Sequence, residues 1–151
     1  MLILLQDTQR VPRVFSPFGA IPPAELRDWL LRNAFALPPD LIDLWQLTGG
    51  GDIFESETIF RPTVASVPNR CFVEDEIEGR NAEHTARGKP SELYIFQEGA
   101  FLSAVRLSDQ KFVTLADGYS VRNSFDSLDE WYVRTLRAEF GERYGLGSVE
   151  G

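Results

Sequence analysis

Three kinds of residue in this chain have the chemistry to act on another molecule: a glycine run, a scatter of carboxylates, and one cysteine with one histidine. The glycines are consecutive, Thr48-Gly49-Gly50-Gly51, and the next charges are Asp52, Glu55 and Glu57. A phosphate cradle needs a strand before its glycines and a helix after them whose N-terminus faces the anion. A Walker-type loop also needs Lys and Ser/Thr directly after. Here the order is helix, glycines, strand; no lysine is near, and the adjoining carboxylates would repel phosphate. The glycines therefore read as a helix stop rather than a ligand loop. Cys71 follows Arg70, whose charge would lower a thiol pKa, and His84 would serve as base in a nucleophilic reading. The irregular stretch between them gives no reason for the two to meet. Cys71 reads instead as a half-buried small residue, and His84, beside Glu83, Thr85 and Arg87, as an exposed loop residue. A histidine-based metal site would want a second histidine or clustered cysteines, and no G-x-S-x-G elbow occurs.

That leaves the carboxylates. Glu74-Asp75-Glu76-Ile77-Glu78 is the densest cluster. Adjacent like charges on a loop form a solvated face or a contact patch for a basic partner, where charge raises on-rate and specificity. Pairing them for acid/base work has no specific support in their spacing. No catalytic, cofactor-binding or metal-binding residue is assigned. The partner-binding candidates are Asp52, Glu55, Glu57, Glu74, Asp75, Glu76 and Glu78.

The elements that position these groups follow from periodicity and punctuation. Residues 2–18 read as extended, broken by Pro12 and Pro17. Ile21-Pro22-Pro23-Ala24-Glu25 opens a helix, with Leu26, Trp29 and Leu30 on its apolar face. A second helix starts at Pro38 and Pro39, where a missing N–H matters little. Its stripe is Leu37, Leu41, Leu44, Trp45 and Thr48, and Gly49 ends it. Thr58-Ile59-Phe60-Arg61 is a short strand stopped by Pro62. Residues 64–90 are charged and turn-rich and read as a long loop with minor structure. Three successive strands at 93–96, 101–107 and 111–115, separated by short turns, form a meander. After the Asp117-Gly118 turn a closing helix starts near Ser124 or Ser127, the latter with Glu130 in capping-box spacing. Leu128, Tyr132, Leu136 and Phe140 line one face of it, and Gly141 stops the run. Trp29, Trp45 and Trp131 all fall on apolar helix faces and are expected in the core. Helices, then an antiparallel sheet, then a helix is an α+β order.

The composition agrees with that class. The chain has 151 residues, enough for one domain with a real core, and 43% hydrophobic residues with 25% charged ones is an ordinary globular balance. A single cysteine fits a reducing compartment. The first residues, Met1-Leu2-Ile3-Leu4-Leu5-Gln6, lack the parts of a secretory leader, and no apolar run reaches the ~20 residues of a membrane span, so a cytoplasmic location is expected. Fifteen Lys and Arg against 23 Asp and Glu give a net charge of -8. Such a surface disfavours nucleic acid and anionic membrane as partners and steers toward a basic one.

The stretch 37–59 carries a further signal. Leu37-Pro38-Pro39-Asp40, the apolar helix ending in Thr48-Gly49-Gly50-Gly51, and Asp52-Ile53-Phe54-Glu55-Ser56-Glu57-Thr58-Ile59 resemble the signature of the SMI1/KNR4 (SUKH) family. The strands near Phe96 and Val105 and the Ser124-Phe125 approach to the closing helix fit the same pattern. The likeness covers about residues 20–140 of a single domain spanning 1–151. Thr48 departs from it, where many members carry Asn, as does the long charged stretch 64–90. The resemblance implies an α+β domain with N-terminal helices, a central antiparallel sheet and a C-terminal helix, and no catalytic residues. It implies an immunity protein that binds a cognate polymorphic toxin, delivered by contact or secretion and often a nuclease or deaminase, and neutralises it by stoichiometric masking. The alternative within the family is a regulatory or protein-interaction module without a toxin. A hydrolase built on Cys71 and His84 is the third reading. No cofactor is expected, and the oligomeric state is left open.

Overall fold

The computed structural model describes residues 1–33, 35–64 and 72–147. Seven strands form one antiparallel sheet in strict chain order: β1 Phe15–Pro17, β2 Gly51–Ile53, β3 Glu57–Ile59, β4 Leu93–Glu98, β5 Leu102–Arg106, β6 Lys111–Leu115 and β7 Val121–Phe125. The helices are α1 Ile3–Arg10, α2 Pro23–Asn33, α3 Pro39–Thr48, α4 Ile77–Ala86, α5 Leu128–Tyr132 and α6 Ala138–Phe140, with a π-helical turn at Val133–Arg137 between the last two. The architecture is α+β with an antiparallel sheet, as the order of elements predicts. The meander is there as β4, β5 and β6, with Tyr94 opposite Val105 and Val105 opposite Phe112.

The three tryptophans are fully buried. Trp29 meets Trp45 edge-on at 5.4 Å, and Phe96 is packed by Phe112 and Trp131 at 5.5 and 4.9 Å. Each such aromatic contact adds roughly 0.5–1.5 kcal/mol beyond the area it buries.

The glycine run stops α3 and lets three backbones meet. Gly49 is left-handed at φ 73°, and its N–H donates to the Trp45 carbonyl at 2.9 Å. A Cβ there would lie 2.0 Å from the Gly19 carbonyl oxygen; one on Gly50 would lie 2.6 Å from that of Ile59. The close approach serves two hydrogen bonds, from Gly19 N to the Thr48 carbonyl and from Phe18 N to the Gly50 carbonyl. The Gly50 N–H is held by the Thr48 hydroxyl at 3.2 Å, so the amides that a phosphate would need are engaged inside the fold.

Two expectations are corrected. Residues 2–18 are not extended throughout: residues 3–10 are α1, and only Phe15–Pro17 is strand. The helix is specified by distant partners. Its first N–H, on Ile3, donates to Asp129 at 2.8 Å. Its buried Asp7 accepts from Tyr132 Oη and Arg137 Nε, both at 2.7 Å. Likewise the stretch 64–90 contains α4. Its inward face is Ile77, Asn81 and His84, spaced i, i+4, i+7, and two of those three are polar, so the apolar stripe that marks a helix is missing. Asn81 takes the place of a strand partner: its amide donates to the Ile95 carbonyl and its oxygen accepts from Ile95 N, each at 2.8 Å. Of the two caps considered for the closing helix, Ser127 is the one used, accepting from Glu130 N at 3.1 Å, because Ser124 lies within β7.

Candidate functional site

The seven candidate carboxylates do not form one site. Glu57 opens β3, where its carboxylate turns inward and is 1% exposed. It accepts from Ala100 N at 2.9 Å, Phe101 N at 3.4 Å, Gln97 Nε2 at 3.2 Å and the Ser56 hydroxyl at 3.1 Å. Gln97 then accepts from Ser103 Oγ at 2.6 Å, and Ser103 accepts from Trp131 Nε1 at 2.9 Å. A continuous polar line thus runs from the β4–β5 turn through the sheet to α5. Glu57, expected as a partner contact, is instead turned into the fold, and its lone pairs are committed to turning the chain from β4 into β5. Gly99 at that turn has no room for a side chain, since a Cβ would sit 2.2 Å from the Glu57 carboxylate.

Glu55 is exposed at the tip of the β2–β3 turn, where Phe54 and Glu55 both have positive φ, 50° and 65°. It accepts from Tyr144 Oη at 3.1 Å, beside the cluster of Phe54 with Tyr132, Phe140 and Tyr144. Glu76 and Glu78 are half-buried and tie down residues 61–63. Glu78 accepts from Thr63 N at 2.9 Å, and Glu76 takes the Thr63 hydroxyl at 3.3 Å and lies 3.6 Å from Arg61.

Of the remaining three, Asp52 and Glu74 both act on Asp75 through their charge. Asp75 caps a short 3-10 turn, Val73–Asp75, by accepting from Phe72 N at 3.1 Å. Its carboxyl is pushed above its usual range, chiefly by burial; the Phe72 hydrogen bond opposes this, and the charges of Asp52 and Glu74 reinforce it. Asp52, in the middle of β2 and hydrogen-bonded to Thr58 at 2.8 Å, is thus in electrostatic reach of a turn more than twenty residues away. Two large apolar side chains lead into the same turn: Phe72 is 70% exposed and Val73 80%. The carboxylates are legible in the sequence, whereas no periodicity in it marks Phe72 and Val73 as exposed.

His84 is a further correction. It is not an exposed loop residue but a buried one, on the inner face of α4. Its Nε2 lies 2.7 Å from Glu98 Oε1, and its Nδ1 2.8 Å from Tyr119 Oη. The other oxygen of Glu98 takes the Arg80 guanidinium, with Nε at 2.9 Å, and Arg80 also pairs with Glu83. Tyr119 reaches the ring from the turn Asp117–Tyr119, where it is held at φ 68°. An aromatic residue in that region costs roughly 1–3 kcal/mol, which its surroundings must offset. The line Tyr119–His84–Glu98 is able to relay a proton. Sequence reasoning saw only the histidine, because its partners come from other elements, β4 and the β6–β7 turn. Cys71 lies outside the described residues.

Among the described residues no three His, Cys, Asp or Glu side chains gather as a metal would require, and no helix is long and apolar enough to cross a membrane. A scan against protein-family models finds none that matches this chain, and a search of curated proteins finds no match in sequence.

Proposed function

We propose that this protein is an immunity protein of SMI1/KNR4 (SUKH) type, which neutralises a basic toxin by binding it one-to-one and covering a surface the toxin needs. It acts by occupancy rather than by turnover, in the cytoplasm, without a cofactor. The observation that carries the reading is the turn at 72–75: Phe72 and Val73 stand out from the surface, flanked by Glu74, Asp75 and the nearby Asp52. Apolar anchors ringed by charge are how tight protein interfaces are built. The anchors supply affinity on desolvation, and the rim supplies steering and choice of partner. The net charge of -8 selects a basic partner over nucleic acid. The helix–glycine–sheet arrangement of residues 37–59 is consistent with the family resemblance.

The test is co-expression with the product of the adjacent gene, scored by growth rescue and by pull-down. Phe72→Ala and Glu74→Lys alter exposed side chains and leave the core alone. The expected result is rescue by the unaltered protein, with binding weakened about tenfold or more by Phe72→Ala. Rescue and affinity unmoved by both substitutions would exclude this face.

A further inference from the structure

A second surface, independent of the toxin-binding reading, has the opposite charge. Between the β4–β5 turn and the β6–β7 turn lies a depression of about 710 Å³. Phe101, Leu102 and Leu115 give it an apolar wall, while Arg87, just past α4, and Arg122, on β7, also line it. Neither arginine has a carboxylate partner among the described residues, which is notable in so acidic a chain. Tyr119 also lines the depression and is the residue that joins it to His84 behind.

The polarity of that join is fixed by its far end. Glu98, whose other oxygen holds Arg80, only accepts, so His84 Nε2 carries a proton. With a neutral ring, Nδ1 is bare and must accept the Tyr119 proton, which turns the phenol's lone pairs toward the depression. With a charged ring, Nδ1–H donates to Tyr119, and the phenolic proton is released to point outward. An anion between Arg87 and Arg122 meets a donor in the second state and a lone pair in the first. We propose that this depression is a proton-coupled oxyanion site, taking a carboxylate or a phosphate-like group, in which binding draws one proton onto His84.

The charged groups around the ring are compatible with this. On α4 they are Arg80 and its partner Glu83; just past it, Arg87; on β4, Glu98; on the β6–β7 turn, Tyr119 and Asp117; on β7, Arg122. Lys89, just past α4, directs its ammonium to the Leu93 and Pro90 carbonyls, and its pKa is lowered by burial. Among the described residues Asp117 is the one acid in the lining, and its charge opposes the anion. Because the charged ring binds the anion better, lowering the pH favours binding of the anion.

His84 is the only histidine, so its ring signals in an NMR titration stand alone. The pH midpoint of those signals is measured in sodium sulfate, in sodium acetate, and in sodium chloride at matched ionic strength. Tenfold tighter binding to the charged ring raises the midpoint by about one pH unit. A rise with sulfate alone assigns a phosphate-like ligand; a rise with acetate assigns a carboxylate. Arg87→Gln with Arg122→Gln should abolish the rise, and so should Tyr119→Phe, which keeps the ring and loses the hydroxyl. Midpoints equal in all three salts, or a rise that survives in the double arginine variant, would overturn the proposal.

Discussion

Glu57 and Glu74 are the same side chain, each in an acidic run next to apolar residues, and the fold uses them in opposite ways. Glu57 lies 1% exposed, with two backbone amides, a side-chain amide and a hydroxyl directed at its carboxylate. Glu74 stands in a short 3-10 turn, exposed to water, between Val73 and Asp75. The difference is set by what surrounds each backbone. Glu57 begins a strand whose neighbour β4 leaves the sheet through a tight turn, and that turn's amides have no ladder partner. A buried N–H without an acceptor is costly, so a carboxylate drawn inside is tolerated where it satisfies several at once. Glu74 has no such group to serve and remains in water, where its charge is available to a partner.

The strongest way to break this contrast is Glu57→Ala. It leaves the amides of Ala100 and Phe101 and the Gln97 side chain without their acceptor and interrupts the line to Trp131. A loss of about 3 kcal/mol is expected, read as a fall in the urea midpoint. Gly99→Ala is expected to cost about 1–3 kcal/mol, because its Cβ would be driven into the Glu57 carboxylate, 2.2 Å away. The two losses should not add. Once the carboxylate is gone the methyl group has space, so the double variant should be more stable than the sum of the single losses. Strict additivity in a denaturation cycle would show that Gly99 is constrained by something other than Glu57.

The contrast also marks how far the sequence could be read. The α3 stop, the meander β4–β6, the Ser127 cap and the buried tryptophans were legible because each has a local cause: a glycine, an alternation, a capping residue, an apolar stripe. The helix α1 was not, since it is held by Asp129, Tyr132 and Arg137 from the far end of the chain. Nor was α4, whose inner face reads Ile, Asn, His and satisfies the edge of β4 by side-chain amide rather than by apolar contact. Of the candidate carboxylates, Glu76 and Glu78 hold residues 61–63, and Asp52 and Glu74 act on Asp75. Nothing within a run of acids distinguishes one that will fold inward, because the groups that claim Glu57 lie about forty residues on, at the β4–β5 turn.

Tyr94 sharpens the comparison from the opposite side, as a buried polar group that nothing among the described residues satisfies. Among the described residues its hydroxyl has no hydrogen-bond partner, unlike that of Tyr132, which donates to Asp7. Tyr94→Phe should therefore stabilise the protein by about 1 kcal/mol, whereas Tyr132→Phe should destabilise it. The pH dependence follows in the same sense. Burial raises the Tyr94 phenol well above its usual range, with the charge of Glu78 adding to it. The folded state thus holds the neutral phenol, and this contribution to stability is fully present below the ordinary tyrosine value of about 10 and is lost as pH rises beyond it. Melting temperatures between pH 8 and 11 should fall for the unaltered protein and fall less for Tyr94→Phe. An equal fall would place the alkaline sensitivity in Tyr132, whose phenol is raised first by burial and then by Asp7.

The smallest effect on stability is expected at the exposed pole of the comparison. Glu74→Lys should move the folding free energy by less than about 0.5 kcal/mol, since the side chain is solvated. Its effect belongs to association instead. A rim charge acts mainly during approach, so reversal should slow the on-rate for a basic partner and reduce its salt dependence, with little change in the off-rate. Phe72→Ala should do the converse, leaving the on-rate and speeding dissociation, because an apolar anchor contributes only after water is expelled. Measuring both rates at two ionic strengths separates the roles. If Glu74→Lys altered dissociation alone, the carboxylate would be a buried contact in the complex, and the division between an acid that builds the fold and an acid that steers a partner would have to be redrawn.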